Sequence, residues 1–357
     1  MRGVAVGGAG YALKPDSPAE PAEEASLDFH VHLFGKGDGG TGCRLSTRQR
    51  QHWNYPFFLK LLNLSENGRM DQDFVLELLR QLRTGPVRKV VLLAQDGRCN
   101  ERGELDLDST NFYVPNDYLF QVVREHPDLF IPCPSINPKR RDALDELERC
   151  AESGARVVKV HPPTQNVDPA ENRYRPFYRR LAERGIILMV HTGSEHASEV
   201  SNERLTDPAR LRVALEEGCT VVAAHSGMGS FLDRRPFRED FLQNLVALSA
   251  RFPRLYCDTA VLASLFRWRN LPMLLDEPEI LPRLIYASDW PFTSNALVFW
   301  NRLHPGRLLA LCAEKNLFKR DFQLKRAIGL PRQVFHRGQE LLLQMESGHR
   351  PRGASSG

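Results

Sequence analysis

Five side chains able to bind a metal stand at the ends of four apolar runs. His30 and His32 close LDFHVH, His191 closes IILMVH, His225 closes TVVAAH and Asp289 closes LIYASD. A loop breaker follows each of the last three: Thr-Gly, Ser-Gly and Trp-Pro. Alternate side chains of a strand share a face, so His30 and His32 point the same way. Three imidazoles and a carboxylate suit a divalent ion, Zn2+ first, with Mn2+ or Fe2+ also allowed. Such an ion polarises a carbonyl and lowers the pKa of water to about 7. A nearby His or Asp then shuttles protons. One strand-end histidine would carry little weight, because such residues commonly pack or cap. An HxH pair, two further histidines and an aspartate at strand ends are not explained by packing alone.

Other residues leave alternatives open. Lys159 and His161 lie two apart in RVVKVHPP and can share a face. Lys159 is a cation for a substrate carboxylate or a buried partner of a barrel carboxylate. His161 touches substrate or is a hydrogen-bonded structural histidine. Asp258, in RLYCDT, makes a structural hydrogen bond or a substrate contact. Asp28 is expected to orient a ligand or to stay paired inside the fold. Arg98, Lys139, Arg140, Arg141, Arg234 and Arg235 follow apolar runs, where they select an anionic substrate or simply meet solvent. His196 is a weaker candidate beside Glu195. His52, His126, His304, His336 and His349 have no supporting context.

The elements that position these groups are legible as a repeat. Eight β-branched or apolar runs occur at 27–32, 87–95, 129–136, 156–161, 186–191, 220–225, 254–259 and 284–289. From the fourth run onward the steps are 30 to 34 residues, about one βαβ unit. Amphipathic helices fill gaps at 71–85, 141–154, 206–218 and 237–253, with Gly or Pro stops. Near-continuous apolar strands are those of a parallel sheet covered on both faces. The expected fold is α/β, a (β/α)8 TIM-type barrel, which carries its chemistry at the C-terminal ends of its strands. A doubly wound open sheet is the competitor, but no Gly-rich phosphate loop follows the first run.

Composition narrows the class. The chain has 357 residues, 42% hydrophobic and 26% charged, enough for one large core. A net charge of +4 with scattered Lys and Arg gives no nucleic-acid footprint. No apolar run is long enough to span a membrane. Residues 1–26 and 346–357 read as flexible tails. Residues 27–345 read as a single barrel, with a long loop insertion at 33–70 folded over its mouth. Seven well-separated cysteines, an odd number without CxxC, read as free thiols in a reducing cytoplasm.

The pattern resembles the amidohydrolase superfamily. The phrases DFHVH, VHTG, AAHSG and ASDWPF look most like its amidohydrolase-2 branch of metal-dependent hydrolases, lactonases and decarboxylases. The likeness spans roughly residues 27–300. It implies that His30, His32, His191 and Asp289 ligate one metal. It makes His225 an acid/base or oxygen-polarising group, and lets Asp289 also take a proton from water. In binuclear members a carboxylated lysine on the fourth strand bridges two metals, a lesser alternative for Lys159. The implied function is hydrolysis of a small molecule, at a C–N amide or lactone/ester bond, by metal-activated water. The alternative is a metal-dependent non-oxidative decarboxylase on the same site, and after it an inactive metal-binding protein. The expected partner is a small-molecule substrate, with an anionic one allowed. No nucleic acid or membrane is expected, and a homo-oligomer is compatible.

Overall fold

The computed structural model describes residues 27–196, 198, 202–233, 239–292 and 294–348. Arg234, Arg235, His349 and the expected tail at 1–26 lie outside them. Eight parallel strands follow the eight apolar runs: β1 (Leu27–His32), β2 (Lys89–Leu93), β3 (Phe130–Cys133), β4 (Val157–Val160), β5 (Ile187–His191), β6 (Val221–Ala224), β7 (Leu255–Asp258) and β8 (Leu284–Ile285). Regular ladders join β1 to β3 as one sheet and β4 to β8 as another.

Two irregular seams close the ring. Between β3 and β4, Lys159 N donates to Pro134 O (2.8 Å) and Ile136 N to Lys159 O (3.1 Å). Pro132 and Pro134 have no N–H to give, which limits the ladder here. Between β8 and β1, Phe29 N donates to Tyr286 O (3.2 Å), Asp289 N to His30 O (3.0 Å) and His32 N to Trp290 O (2.9 Å). The eight strands therefore run in sequence order around a (β/α)8 barrel. β8 is shorter than its apolar run because Tyr286 N turns away to Val334 O (3.0 Å) and leaves the ladder.

Two packed layers hold the ring. Leu27, Phe29, Val91, Leu93, Met189, Val222 and Ile285 form part of an inner cluster, closed by Leu341 and Leu342 of the last helix, Arg332–Gly348. Gly338 is where that helix approaches: a Cβ there would sit 2.8 Å from the Phe29 ring. The helix runs past residue 345, so 346–348 continue it. Val31 belongs instead to the outer cluster, with Phe74, Leu78, Leu147 and Phe177 from the surrounding helices. A register shift between Asp28 and Val31 produces this change of face within β1. The four expected helices appear as Met70–Thr84, Ala143–Glu152, a 3-10 turn Pro208–Leu211 leading into Arg212–Glu216, and Glu239–Arg251. Asp207 caps the third through Ala209 N (2.9 Å).

The segment after β1 is anchored at its start. The Asp71 carboxylate accepts Lys36 N (2.7 Å) and Gly37 N (3.0 Å). Phe34 stacks on Phe112 at 5.0 Å between ring centroids. Two short helices follow, Thr47–Arg50 and Tyr55–Leu61. Between them Trp53 meets Phe266, in the loop after β7, edge-on at 6.4 Å.

Candidate active site

The strand ends bring their polar side chains to one rim. His30 Nδ1 lies 2.9 Å from Asp258 Oδ2, at the end of β7. Taken as donation from Nδ1–H, this contact leaves the lone pair on His30 Nε2. That atom is 3.2 Å from His32 Nε2 and 3.4 Å from Asp289 Oδ1. His32 Nε2 lies 3.2 Å from the same Asp289 oxygen. Asp289 Oδ1 is buried and has no hydrogen-bond partner. Ligand atoms 2.0–2.1 Å from a tetrahedral zinc sit roughly 3.3 Å apart. Three acceptor atoms at that mutual spacing, one of them orphaned, fit a divalent cation.

The backbone aims these groups. His225, Ser226 and Asp289 have φ of 61°, 53° and 67°. This left-handed region is uncommon for residues other than glycine, and His, Asn and Asp enter it most readily. The kinks turn the chain as each strand leaves the barrel. Asp28 acts from below, its Oδ1 accepting His30 N (3.1 Å) and Ser288 N (3.0 Å). Its other oxygen is buried without a partner, and burial pushes the carboxyl up to about 7. Burial likewise pushes Asp258 up to about 7. Asp258 Oδ1 also accepts His225 N (2.7 Å) and Ala260 N (3.1 Å), so one carboxylate ties β7 to β1 and to the end of β6.

A row of imidazoles continues across the rim. The His225 ring lies 5.1 Å from that of His30. His225 Nδ1 faces Ala260 O at 3.3 Å and Asp289 Oδ2 at 3.9 Å. His225 Nε2 lies 3.1 Å from His191 Nδ1. The His191 ring stacks on His161 at 4.1 Å. Burial holds His30, His191 and His225 well below the ordinary histidine range, and lowers His161 as well. Buried neutral imidazoles keep a lone pair to offer.

Of the residues expected as ligands, His30, His32 and Asp289 meet directly. His191 stands one imidazole further on, behind His225. His225 joins the first group instead: one ligand atom each from His30, His225 and Asp289 lie within 4.8 Å of one another. A second set with the same mutual spacing is His161, His191 and Glu195. Lys159 is fully buried within this row, its Nζ 3.3 Å from His30 Nε2. Burial lowers its pKa, while Asp258 and Asp289 pull the other way.

The candidate rim cations among the described residues are engaged by protein partners. Arg98 Nε donates to Thr164 O (3.0 Å), Lys139 pairs with Glu101 (3.0 Å) and Arg141 with Glu104 (3.3 Å). Arg140 pairs with Asp142 (2.8 Å) and lines a separate cavity of about 330 Å³ with Asp96, Glu146 and Arg149. His196 pairs with Asp233 (2.9 Å).

Two residues at the site escape a reading of strand ends. Glu195 lies in the loop after β5, its side chain 8% exposed, and meets both His161 and His191. Its only signal is its place four residues after His191. Arg267 is buried and donates to the carbonyls of Ser194 and Met228. Its charge is the largest electrostatic influence on His225 after burial. Nothing in its sequence neighbourhood marks it.

Comparisons with known proteins agree with this architecture. An uncharacterised TIM-barrel protein from Bordetella bronchiseptica matches with a TM-score of 0.59 at 14% identity, over 90% of this chain and 99% of that one. A proposed 2-pyrone-4,6-dicarboxylic acid hydrolase from Pseudomonas putida matches with a TM-score of 0.54 at 18% identity, over 90% and 98%. At such identities the likeness is one of fold. None of the curated proteins matches the sequence. The family model described as Amidohydrolase matches residues 28–298, three quarters of the chain and every rim residue described above. This chain belongs to the amidohydrolase family of enzymes.

Proposed function

We propose that the enzyme hydrolyses a small molecule, at a C–N amide or lactone/ester bond, with one divalent ion held by His30, His32 and Asp289. The observation that carries this reading is the convergence of His30 Nε2, His32 Nε2 and the orphaned Asp289 Oδ1 within 3.2–3.4 Å. Two histidines and a carboxylate leave a zinc-type ion an open position, which is what separates catalytic from structural sites. The ion supplies Lewis acidity toward a substrate oxygen and toward water.

The chain's own residues supply the proton transfers. Asp289 Oδ2 takes the proton of the attacking water. His225 carries a proton at Nδ1, between Ala260 O and Asp289 Oδ2, and relays it to the departing oxygen or nitrogen as Asp289 hands over the proton taken from water, so the ring stays neutral and Asp289 ends as a carboxylate. Lys159 Nζ, beside His30, meets an anionic group of the substrate. Phe292 stands edge-on to His32 at 6.3 Å and walls the approach. Zinc is the ion we assign, and the cytoplasm the compartment. Seven cysteines without a disulfide support the latter, five of them buried. Among the described residues no helix is long and apolar enough to cross a membrane.

The test has two parts. Replacing His30 and His32 together with Ala strips the ion, read as metal per chain; full retention would remove the assignment. The loaded enzyme is then given lactones, esters, amides and aromatic carboxylates, with 2-pyrone-4,6-dicarboxylic acid among them. Acid formation by bond hydrolysis is the expected product. Carbon dioxide release without bond hydrolysis would move the enzyme to the decarboxylases.

A further inference from the structure

Where Tyr286 N leaves the ladder, side chains take over the backbone that leads to Asp289. Ala287 N donates to Thr259 Oγ1 (3.0 Å), and the Thr259 hydroxyl donates to Ala287 O (3.0 Å). Ser288 N donates to Asp28 Oδ1 (3.0 Å). Asp28 belongs to β1, and Thr259 directly follows β7. A further contact comes from outside the eight strands. Lys325, in the helix Leu317–Ala327, donates from Nζ to Ala287 O (2.7 Å).

Ala287 C=O and Ser288 N–H belong to one peptide plane, and in a trans peptide they point opposite ways. Lys325 grips that plane at its oxygen and Asp28 at its nitrogen. The next residue is Asp289, whose φ of 67° turns its carboxylate toward the rim. A plane held at both poles fixes where that turn begins.

Stability alone does not account for the lysine. Lys325 is fully buried, so its ammonium has lost its water. Asp321, one turn earlier on the same helix and also buried, meets Nζ at 2.8 Å, and the Tyr286 ring lies 5.4 Å from it. Burial pushes the Asp321 carboxyl up, and Lys325 pulls it back. Desolvation of two such ions cancels much of their attraction, and apolar side chains of similar volume often serve a fold as well. What an apolar side chain cannot supply is a donor to Ala287 O.

We propose that Lys325, held in place by Asp321, is a positioning residue for the Asp289 carboxylate. It touches neither ion nor substrate and acts through the peptide plane between Ala287 and Ser288. The proposal rests on Asp289 as a metal ligand for one of its readouts and is independent of it for the other.

The experiment replaces the ion pair as a unit. Lys325→Met/Asp321→Leu removes both charges and keeps much of the volume. Full-length metal-free protein is compared with the parent by Tm and by hydrogen exchange with mass spectrometry, residues 284–292 against 187–191. Co2+ absorption and a Zn2+ competition titration follow. The variant is expected to melt near the parent, to exchange faster at 284–292 alone, to bind Zn2+ about tenfold more weakly and to show an altered Co2+ spectrum. Lys325→Gln/Asp321→Asn, whose amide ends one bond short of the ammonium, carries the same readouts if the first variant does not fold. A folded variant with parent-like exchange at 284–292 would overturn the proposal. So would parent-like Zn2+ affinity, provided that Asp289→Asn lowers it. If Asp289→Asn leaves Zn2+ affinity unchanged, the assignment of Asp289 as a ligand fails, and exchange at 284–292 alone decides whether Lys325 positions the segment.

Discussion

Asp258 on β7 holds the Nδ1 edge of His30 on β1 at 2.9 Å, across a barrel interior in which both side chains are fully buried. The same carboxylate caps the kinked backbone at His225. One residue therefore sets the tautomer of a proposed ligand and the position of a proposed acid. It touches neither the cation nor the substrate in this arrangement.

Asp258→Asn should weaken metal binding at the proposed His30, His32 and Asp289 site by about 10–100-fold, the usual cost of losing the partner behind a ligating histidine. A competition titration of Zn2+ against a chromophoric chelator measures this. Unchanged affinity would show that the contact only packs the barrel.

His225→Asn should keep metal close to the parent level while lowering kcat by about 10²–10⁴-fold, the range for a general acid or base. Metal analysis discriminates before a substrate is known. A loss as large as that in Asp289→Asn would make His225 a ligand and return its proton to another group.

Asp28 gives a pH dependence whose sign is fixed. Its folded pKa of about 7 lies above the ordinary carboxylate value, so between about 4 and 7 the folded chain holds a proton the unfolded chain has lost. Stability from this group is present at low pH and falls as pH rises through 7. Asp28→Asn keeps an acceptor for His30 N and Ser288 N and cannot ionise. Urea midpoints of the metal-free proteins at pH 5 and pH 8 should show the parent losing more than the variant. Equal losses would mean that Asp28 is already ionised in the fold.

Gly193 sits between His191 and Glu195 at φ 79°, with its Cα facing the backbone of Met228. A methyl group there would overlap the Met228 carbonyl and add left-handed strain of about 1–3 kcal/mol. Gly193→Ala should lower the Tm and move the loop that carries Glu195. Parent-like melting would show that the loop shifts freely.

Legibility followed periodicity. His30, His32, His191, His225 and Asp289 were readable because each ends an apolar run before a breaker, and barrel topology sends such ends to one rim. The repeat also located all eight strands. The partition of the histidines was not readable. Which imidazole faces which follows from ring rotation, and from kinks at His225 and Asp289 that no spacing encodes. Glu195 and Arg267 lie in loops, where no alternation marks a buried side chain. The end of β8 was overread because Tyr286 continues the apolar run while its N–H bonds elsewhere.

The seam between β8 and β1 also sets a schedule. It joins backbone from the two ends of the barrel, with Ser288 N reaching Asp28 across 260 positions of chain. Asp289 N bonds to His30 O within that same seam. A ribosome that has released β1 must still make the other seven strands before His30 acquires its carboxylate neighbour. Contacts of such long range are late to form. Metal capture at the proposed site would consequently report that synthesis has reached the final strand and that the ring has shut. A chain stopped before residue 289 would carry the HxH pair and yet leave the ion in solution.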